Sequence, residues 1–225
     1  MLLKLFLALL TGASVAAPAG ASEGVVERSF TVIRNGEEIG TREARIIHNG
    51  NSVDVLNVTR IQVKVLFITV YRRQENLSEL WIDDQLHRFS SQVDNNGDSY
   101  SINVVRTENG KLHVNRPAGA YEAPENALPA TFWHERVVRT NALIHVMRGR
   151  LQQVKSTFVG TEPIKMGEST IEARRYRMTG DERVDLWFDE KGLAVKVTYY
   201  TRSGGTIDFL AKDDIGAAGP AQPKP

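Results

Sequence analysis

The sequence predicts a mostly β protein: a single curved antiparallel sheet, or half-barrel, packed around a short central helix. Apolar and polar residues alternate over most of the chain, which is the period of a strand with one buried face. Asn-Gly dipeptides, which suit the tight turns of hairpins, separate many of these stretches. The chain has 225 residues, of which 41% are apolar, enough for one core without metals or disulfides.

Residues 1–21 have the features of a secretory signal peptide. Lys4 precedes an apolar run over residues 5–10, and Ala19-Gly20-Ala21 fits the small-x-small cleavage pattern. The run is too short to span a bilayer, which favours a cleaved signal over the alternative of a retained membrane anchor. We therefore expect a mature protein that starts at Ser22, in a bacterial periplasm or medium, with no transmembrane segment after cleavage.

Cysteine content and charge exclude several classes of protein. The chain has no cysteine, which rules out a lipoprotein anchor, structural disulfides and thiolate chemistry. The formal charge is +1, and loss of Lys4 with the signal makes the mature chain neutral. A balanced total charge indicates neither nucleic acid nor an anionic membrane as a partner.

The mature part is predicted to be one antiparallel β domain over residues 22–215. Asn-Gly tolerates the positive φ angles that type I′ hairpin turns require. It occurs at Asn35-Gly36, Asn49-Gly50, Asn96-Gly97 and Asn109-Gly110. Candidate strands cover residues 26–34, 38–48, 52–72, 75–82, 85–93, 99–106, 111–115, 151–161, 169–179, 183–189, 193–201 and 206–211.

Three segments depart from simple alternation. Residues 63–71 are apolar on both faces, which predicts a strand buried on both sides within the long stretch 52–72. After a Pro-containing loop, residues 131–138 fit a short amphipathic helix, in which Phe132 and Arg136 form an i,i+4 pair. Residues 216–225 are rich in Ala, Gly and Pro and are predicted to be a disordered tail.

No catalytic, metal-binding or cofactor motif is recognisable in the sequence. His134-Glu135 begins a zinc-protease pattern, but the second histidine would have to stand at Val138. We therefore predict no catalytic residue, no metal ligand and no cofactor. A hydrolase with an unrecognised site around His134 and Glu135 is the least favoured hypothesis. The frequent arginines of the second half, including Arg174, Arg175 and Arg177, are interpreted as a solvated sheet face.

Several motifs resemble an uncharacterised family of exported bacterial proteins, known as a domain of unknown function. They are Leu128-Pro129-Ala130-Thr131-Phe132-Trp133-His134, Arg174-Arg175-Tyr176-Arg177-Met178-Thr179-Gly180 and Asp185-Leu186-Trp187-Phe188-Asp189-Glu190-Lys191-Gly192. More distantly, the layout is similar to the half-barrels of periplasmic lipoprotein carriers of the Lol type. That resemblance implies binding of a hydrophobic ligand rather than catalysis.

The large apolar side chains suggest where such a ligand would lie. The candidate cavity lining consists of Val63, Val65, Phe67, Phe132, Trp133, Trp187 and Tyr199. The alternative is that these residues are simply the core between sheet and helix. The leading hypothesis is a periplasmic protein that binds a lipid or another apolar small molecule. The second hypothesis is an envelope interaction or assembly module, which uses a strand edge or the tail to contact an envelope protein.

Overall fold

The computed structural model describes residues 24–201 and 204–218, so the predicted signal peptide and residues 219–225 lie outside the described residues. Within these described residues, fifteen strands form one sheet. Their bounds are β1 Gly24–Arg34, β2 Glu37–Asn49, β3 Ser52–Val65, β4 Ile68–Ile82, β5 Gln85–Asn95, β6 Asp98–Arg106, β7 Leu112–Asn115, β8 Tyr121–Ala123, β9 Leu128–Pro129, β10 Ala142–Ile144, β11 Leu151–Met166, β12 Ser169–Gly180, β13 Val184–Phe188, β14 Ala194–Tyr200 and β15 Thr206–Ala218.

The sheet is a meander in two halves, β1 to β8 and β9 to β15, which meet where β1 pairs with β15. The strand order is β8-β7-β6-β5-β4-β3-β2-β1-β15-β14-β13-β12-β11-β10-β9. Each pair is antiparallel except β9 with β10. The predicted single curved antiparallel sheet is thereby confirmed. Gly216 and Ala218 lie within β15, so the predicted tail begins inside a strand.

Two-residue turns join many of the strands, as the Asn-Gly dipeptides predicted. Asn35-Gly36 and Asn96-Gly97 have positive φ at both positions, 50° and 89° in the first and 58° and 98° in the second. The β2–β3 turn lies one residue later than predicted, because Asn49 pairs with Ser52 and Gly50 becomes the first central residue.

The predicted strand buried on both sides, residues 63–71, is wrong. The chain reverses at Leu66-Phe67, and Val65 pairs with Ile68 across the turn. Val65 and Phe67 are 54% and 98% exposed, so neither lines an interior. Apolar pattern alone does not distinguish exposed from buried side chains, and the turn contains no Gly, Asn or Pro that would signal it.

The predicted central helix over residues 131–138 is also wrong. Phe132 has a φ of 55°, and Trp133 accepts a backbone hydrogen bond from Ala194 at 3.0 Å, so this part of the chain is extended. Only a single 3₁₀ turn follows, at Glu135–Arg139. A left-handed residue and backbone bonds to β14 are incompatible with a continuous α-helix. None of the helical structure in the described residues is long and apolar enough to cross a membrane.

The sheet curls around an extended inner segment, residues 128–150, instead of a helix. Trp133 Nε1 donates to Glu79 Oε2 of β4 at 2.9 Å, and Ser91 Oγ of β5 donates to the Val146 carbonyl oxygen. Leu128 and Val146 each pack against both of the two apolar clusters that make up the core. The inner segment therefore divides the interior into two regions with different contents.

Candidate ligand cavity

One of these regions contains a cavity of about 460 Å³, bounded by the inner face of the sheet and the inner segment. It lies at the end of the sheet that carries the β1–β2, β3–β4 and β14–β15 turns. Arg34, Val63 and Ile207, each near one of those turns, line the cavity. Arg34 is exposed, so the cavity reaches the protein surface. This volume is within the range of small-molecule sites.

The structure brings three of the seven predicted lining residues to the cavity. Val63, Phe132 and Tyr199 line it. Val65 and Phe67 lie on the exposed turn outside it. The two tryptophans have other environments, which explain why each is buried.

Trp187 is held by polar groups away from the cavity. Its Nε1 donates to Glu162 Oε1 at 2.6 Å, and the Lys196 ammonium lies 4.7 Å from its ring centroid. Arg175 stacks on the same ring at 4.9 Å. Trp187 therefore belongs to a cation-π arrangement on β12, β13 and β14.

Trp133 and Trp81 enclose a buried carboxyl group, here called the Glu79 cluster. Glu79 Oε2 accepts from Trp81 Nε1 at 2.8 Å and from Trp133 Nε1 at 2.9 Å. The two indole rings meet edge to face, with centroids 6.2 Å apart, and Arg136 stacks over both. Burial raises the pKa of Glu79 above its ordinary value, because the charged form loses its hydration. Trp133 thus anchors the inner segment to β4.

The apolar wall of the cavity is a row of aromatic rings. Tyr199 contacts Phe132 and Phe209 edge to face, with centroid distances of 5.8 and 5.7 Å. Ile61 and Val63 continue the wall along β3. Burial raises the pKa of Tyr199, which keeps its hydroxyl protonated. That hydroxyl has no hydrogen-bond partner among the described residues and is available as a donor.

The polar wall includes three charged side chains that contact one another, here called the Arg42 cluster. Arg42 donates from Nε to Thr59 Oγ1 at 2.9 Å and from Nη2 to Glu75 Oε1 at 3.4 Å. Arg73 donates from Nη2 to the other oxygen, Glu75 Oε2. The Arg42 guanidinium also lies 4.2 Å from the Phe209 ring centroid. Two cations share one carboxylate, so the cluster has a formal charge of +1.

His145 adds no charge to this site. Its Nδ1 accepts hydrogen bonds from the backbone N–H groups of Met147 and Arg148, at 3.1 and 3.2 Å. Burial, followed by the nearby Arg150, lowers the pKa of His145 to about 4. The imidazole is therefore neutral at pH 7. Arg34 and Glu182 also line the cavity and their formal charges cancel, so the lining as a whole has the +1 charge of the Arg42 cluster.

The Arg42 cluster was not predicted from the sequence, although a signal for it exists. Arg42 alternates with Ala44 and Ile46 on the buried face of β2, and Glu75 alternates with Leu77 on the buried face of β4. A charged residue at an apolar-face position is unusual, because burying a charge is costly without a partner. Only the tertiary structure shows that these two positions meet.

His134 and Glu135 do not form a free acid–base pair. Glu135 accepts from Arg174 at 2.7 and 2.8 Å and from the Tyr176 hydroxyl at 2.7 Å. The hydrogen bond from Arg174 lowers the pKa of Glu135. His134 Nδ1 caps the 3₁₀ turn by accepting from the Arg136 N–H, and burial lowers the pKa of His134 to about 4. Both side chains thus have structural partners.

The predicted solvated arginine face is also more structured than expected. Arg175 and Arg177 both bind Asp185, whose side chain is fully buried beneath them. Within the described residues, no group of three or more His, Asp or Glu side chains is arranged to hold a metal ion.

The fold and the site together define a barrel-like antiparallel β protein with an amphipathic internal cavity. Residues 30–212 match the family described as "Domain of unknown function (DUF6134)", and the chain belongs to that family. The predicted membership of a family of unknown function is thus confirmed.

A solved structure supports the fold at low sequence identity. The chain is similar to the protein titled "Crystal Structure of Beta-barrel-like Protein of Domain of Unknown Function DUF1849 from Brucella abortus". The identity is 9%, the TM-score is 0.58, and the match covers 88% of this chain and 100% of that chain. At this identity the similarity shows the fold alone. No curated protein matches the chain. The likeness to lipoprotein carriers stays a prediction.

Proposed function

We propose that this protein binds an amphipathic anion, an acyl chain or similar apolar body with one negative head group, in a bacterial periplasm or medium. The observation that carries the proposal is the Arg42 cluster, in which two arginines share Glu75 beside a wall of aromatic rings. A ligand of this class would place its anion at the arginines and its apolar part along Phe132, Tyr199 and the β3 residues.

Electrostatics favour an anion over a neutral ligand. Arg42 and Glu75 have side chains that are 9% and 3% exposed, so their charges are poorly screened by water. The formal excess of one positive charge is then best balanced by a single negative group. The Tyr199 hydroxyl supplies a further donor in this charged region, since Arg42, Glu182, Glu75 and Arg73 all lie near enough to act on its pKa.

The site is also preorganised. Thr59 and the Phe209 ring hold the Arg42 guanidinium in place before any ligand arrives. A fixed donor loses little conformational freedom on binding, which favours affinity.

The first experiment tests whether ligand binding requires the positive charge of Arg42. The purified protein is titrated with a fluorescent fatty acid, and native mass spectrometry identifies any molecule that co-purifies. We expect Arg42→Met to weaken probe binding by roughly tenfold or more, because a hydrogen bond to a charged group is lost. Arg88→Met is the matched control, since Arg88 is exposed on β5 and should leave affinity unchanged.

The second experiment fills the cavity. Ile207→Trp places a larger side chain in the lining, whereas Val105→Trp adds the same side chain at an exposed position on β6. Only the first variant should abolish probe binding. Unchanged binding in a folded Ile207→Trp protein, or equal binding of an uncharged fatty alcohol, would contradict the proposal.

The other two hypotheses have less support. The outermost strands of the sheet, β8 and β9, have three and two residues, which offers a partner little edge for added pairing. A hydrolase would need a free base, but His134 and Glu135 are engaged as described above.

A further inference from the structure

The β3–β4 hairpin ends in a projecting arm, residues 62–72. Pairing of β3 with β2 ends at Ile61, and pairing of β4 with β5 ends at Arg73. Beyond those points the two strands pair only with each other. At about 3.3 Å per residue, the arm extends roughly 13 Å past the last β2–β3 pair.

The end of the arm is apolar and exposed. Leu66 is 86% exposed, Phe67 98% and Ile68 68%, and Val65 and Val70 are each more than half exposed. Single exposed apolar residues are common on protein surfaces, but a contiguous group of five marks a contact surface.

The backbone of this turn is unfavourable for the residues it contains. Leu66 and Phe67 have φ angles of 48° and 69°, the same left-handed conformation as Asn35-Gly36. Large L-residues adopt that conformation only with steric strain, whereas Asn and Gly adopt it readily. Nothing in the fold requires Leu-Phe here, because neither side chain packs inside the protein. The combination of strain and exposure points to a contact outside the chain.

The arm is also basic, although the mature chain as a whole is neutral. Residues 62–72 contain Lys64 and Arg72 and no acidic residue, and Arg72 pairs with Asp94 of β5 at 3.3 Å. Lys64 is exposed, has no ion pair among the described residues and lies about 7 Å below the turn. Glu37 and Glu38 of β2 lie on the same side of the Gly40–Ile61 pair as the arm, because β2 continues beyond Gly40 and pairs there only with β1.

We propose that the projecting arm docks the protein on an anionic phospholipid bilayer, with Leu66, Phe67 and Ile68 inserted and Lys64 among the head groups. Interfacial segments of proteins bury apolar side chains about 5–10 Å deep, which matches the distance from the turn to Lys64. Basic residues beside them gain attraction from anionic lipids. A consequence that rests on the proposed function is that docking brings Val63 and Tyr71, both in the cavity lining, to the membrane surface.

The test measures vesicle binding by the full chain and by variants prepared with the same N-terminal residue. Vesicles made of phosphatidylcholine alone are compared with vesicles made of equal parts of phosphatidylcholine and phosphatidylglycerol. We expect the wild type to co-sediment with the anionic vesicles. Leu66→Asn combined with Phe67→Gly should reduce this binding by roughly tenfold or more, because the inserted apolar surface is lost. The same variant should melt at a higher temperature, since it relieves the strained turn, so misfolding would not explain the loss.

Two further variants sharpen the result. Lys64→Gln should weaken binding to anionic vesicles about fivefold, and Val105→Asn, at an exposed apolar position on β6, should have no effect. In Phe67→Trp, brominated lipid should quench the introduced indole, while Trp81, Trp133 and Trp187 are buried.

The proposal is overturned if the wild type binds neither kind of vesicle, or if the Asn-Gly variant binds as well as the wild type. Self-association of the protein through Leu66, Phe67 and Ile68, without vesicle binding, also overturns it. Ile207→Trp separates this proposal from the previous one, because it should abolish fatty-acid binding and leave vesicle binding intact.

Discussion

Glu75 and Glu79 are two buried carboxyl groups on the same face of β4, four residues apart, and they have opposite surroundings. Glu75 binds two arginines at the edge of a cavity of about 460 Å³. Glu79 binds two indole N–H groups within an apolar cluster, and burial raises its pKa. One face of one strand therefore borders both an open, charged cavity and a filled region that holds the inner segment in place.

The largest effect is expected when Glu75 is neutralised. Glu75→Gln leaves the buried Arg42 and the partly buried Arg73 without an anion, and we expect about 3–5 kcal/mol of destabilisation in urea unfolding. The same change raises the formal charge of the cluster from +1 to +2, so affinity for the anionic fatty-acid probe should rise. If the folded variant binds the fatty-acid probe more weakly than the wild type, the charge of the Arg42 cluster does not govern binding.

Trp133→Phe should cost about 2 kcal/mol, because Glu79 loses one of its two indole donors and the inner segment loses its anchor. Urea unfolding measures the loss. Probe affinity should not change, because Trp133 borders a separate space of about 20 Å³, which has room for a single water at most. A loss of binding as large as that of Arg42→Met would place Trp133 at the ligand instead.

Glu79→Gln should have a smaller, pH-dependent effect. Because the pKa of Glu79 is raised in the folded state, the folded protein retains this proton at pH values where the unfolded chain has released it. Its contribution to stability is present below the ordinary value of 4.5 and decreases as pH rises above that value. The Gln variant should therefore gain stability relative to the wild type between pH 4 and pH 8, as followed by thermal unfolding. A difference that does not vary with pH would contradict this.

Glu43→Gln provides the smallest expected change. Glu43 lies on β2, 3.9 Å from Arg60, and its side chain is 63% exposed. Water screens this pair, so unfolding free energy should change by no more than about 0.5 kcal/mol. A larger change would mean that burial does not explain the contrast between Glu75 and the surface carboxylates.

The sequence pattern predicted those strands and turns that depend on residues close together in the chain. Alternation identified most strands, and Asn35-Gly36 and Asn96-Gly97 identified their turns, because these dipeptides suit the backbone directly. The same reasoning failed at Leu66-Phe67, where the turn is formed by residues that disfavour it. It also failed at Phe132, where a left-handed residue interrupts an apparent helical period.

The candidate site was predicted only in its apolar part. Val63, Phe132 and Tyr199 line the cavity, but Trp133 and Trp187 are buried for other reasons, and large side chains alone do not reveal which. The polar part was missed, because Arg42 and Glu75 are 33 residues apart and meet only through the pairing of β2, β3 and β4.

By itself, the sequence determined an antiparallel β domain with no cysteine chemistry and a predicted export signal, since periodicity, turn residues and composition are local properties. Only the tertiary structure shows where the charges meet, which apolar residues are buried, and that the end of the β3–β4 hairpin pairs with neither neighbouring strand. Those features depend on strand register and on the path of the inner segment, which bring together residues that are distant in the chain.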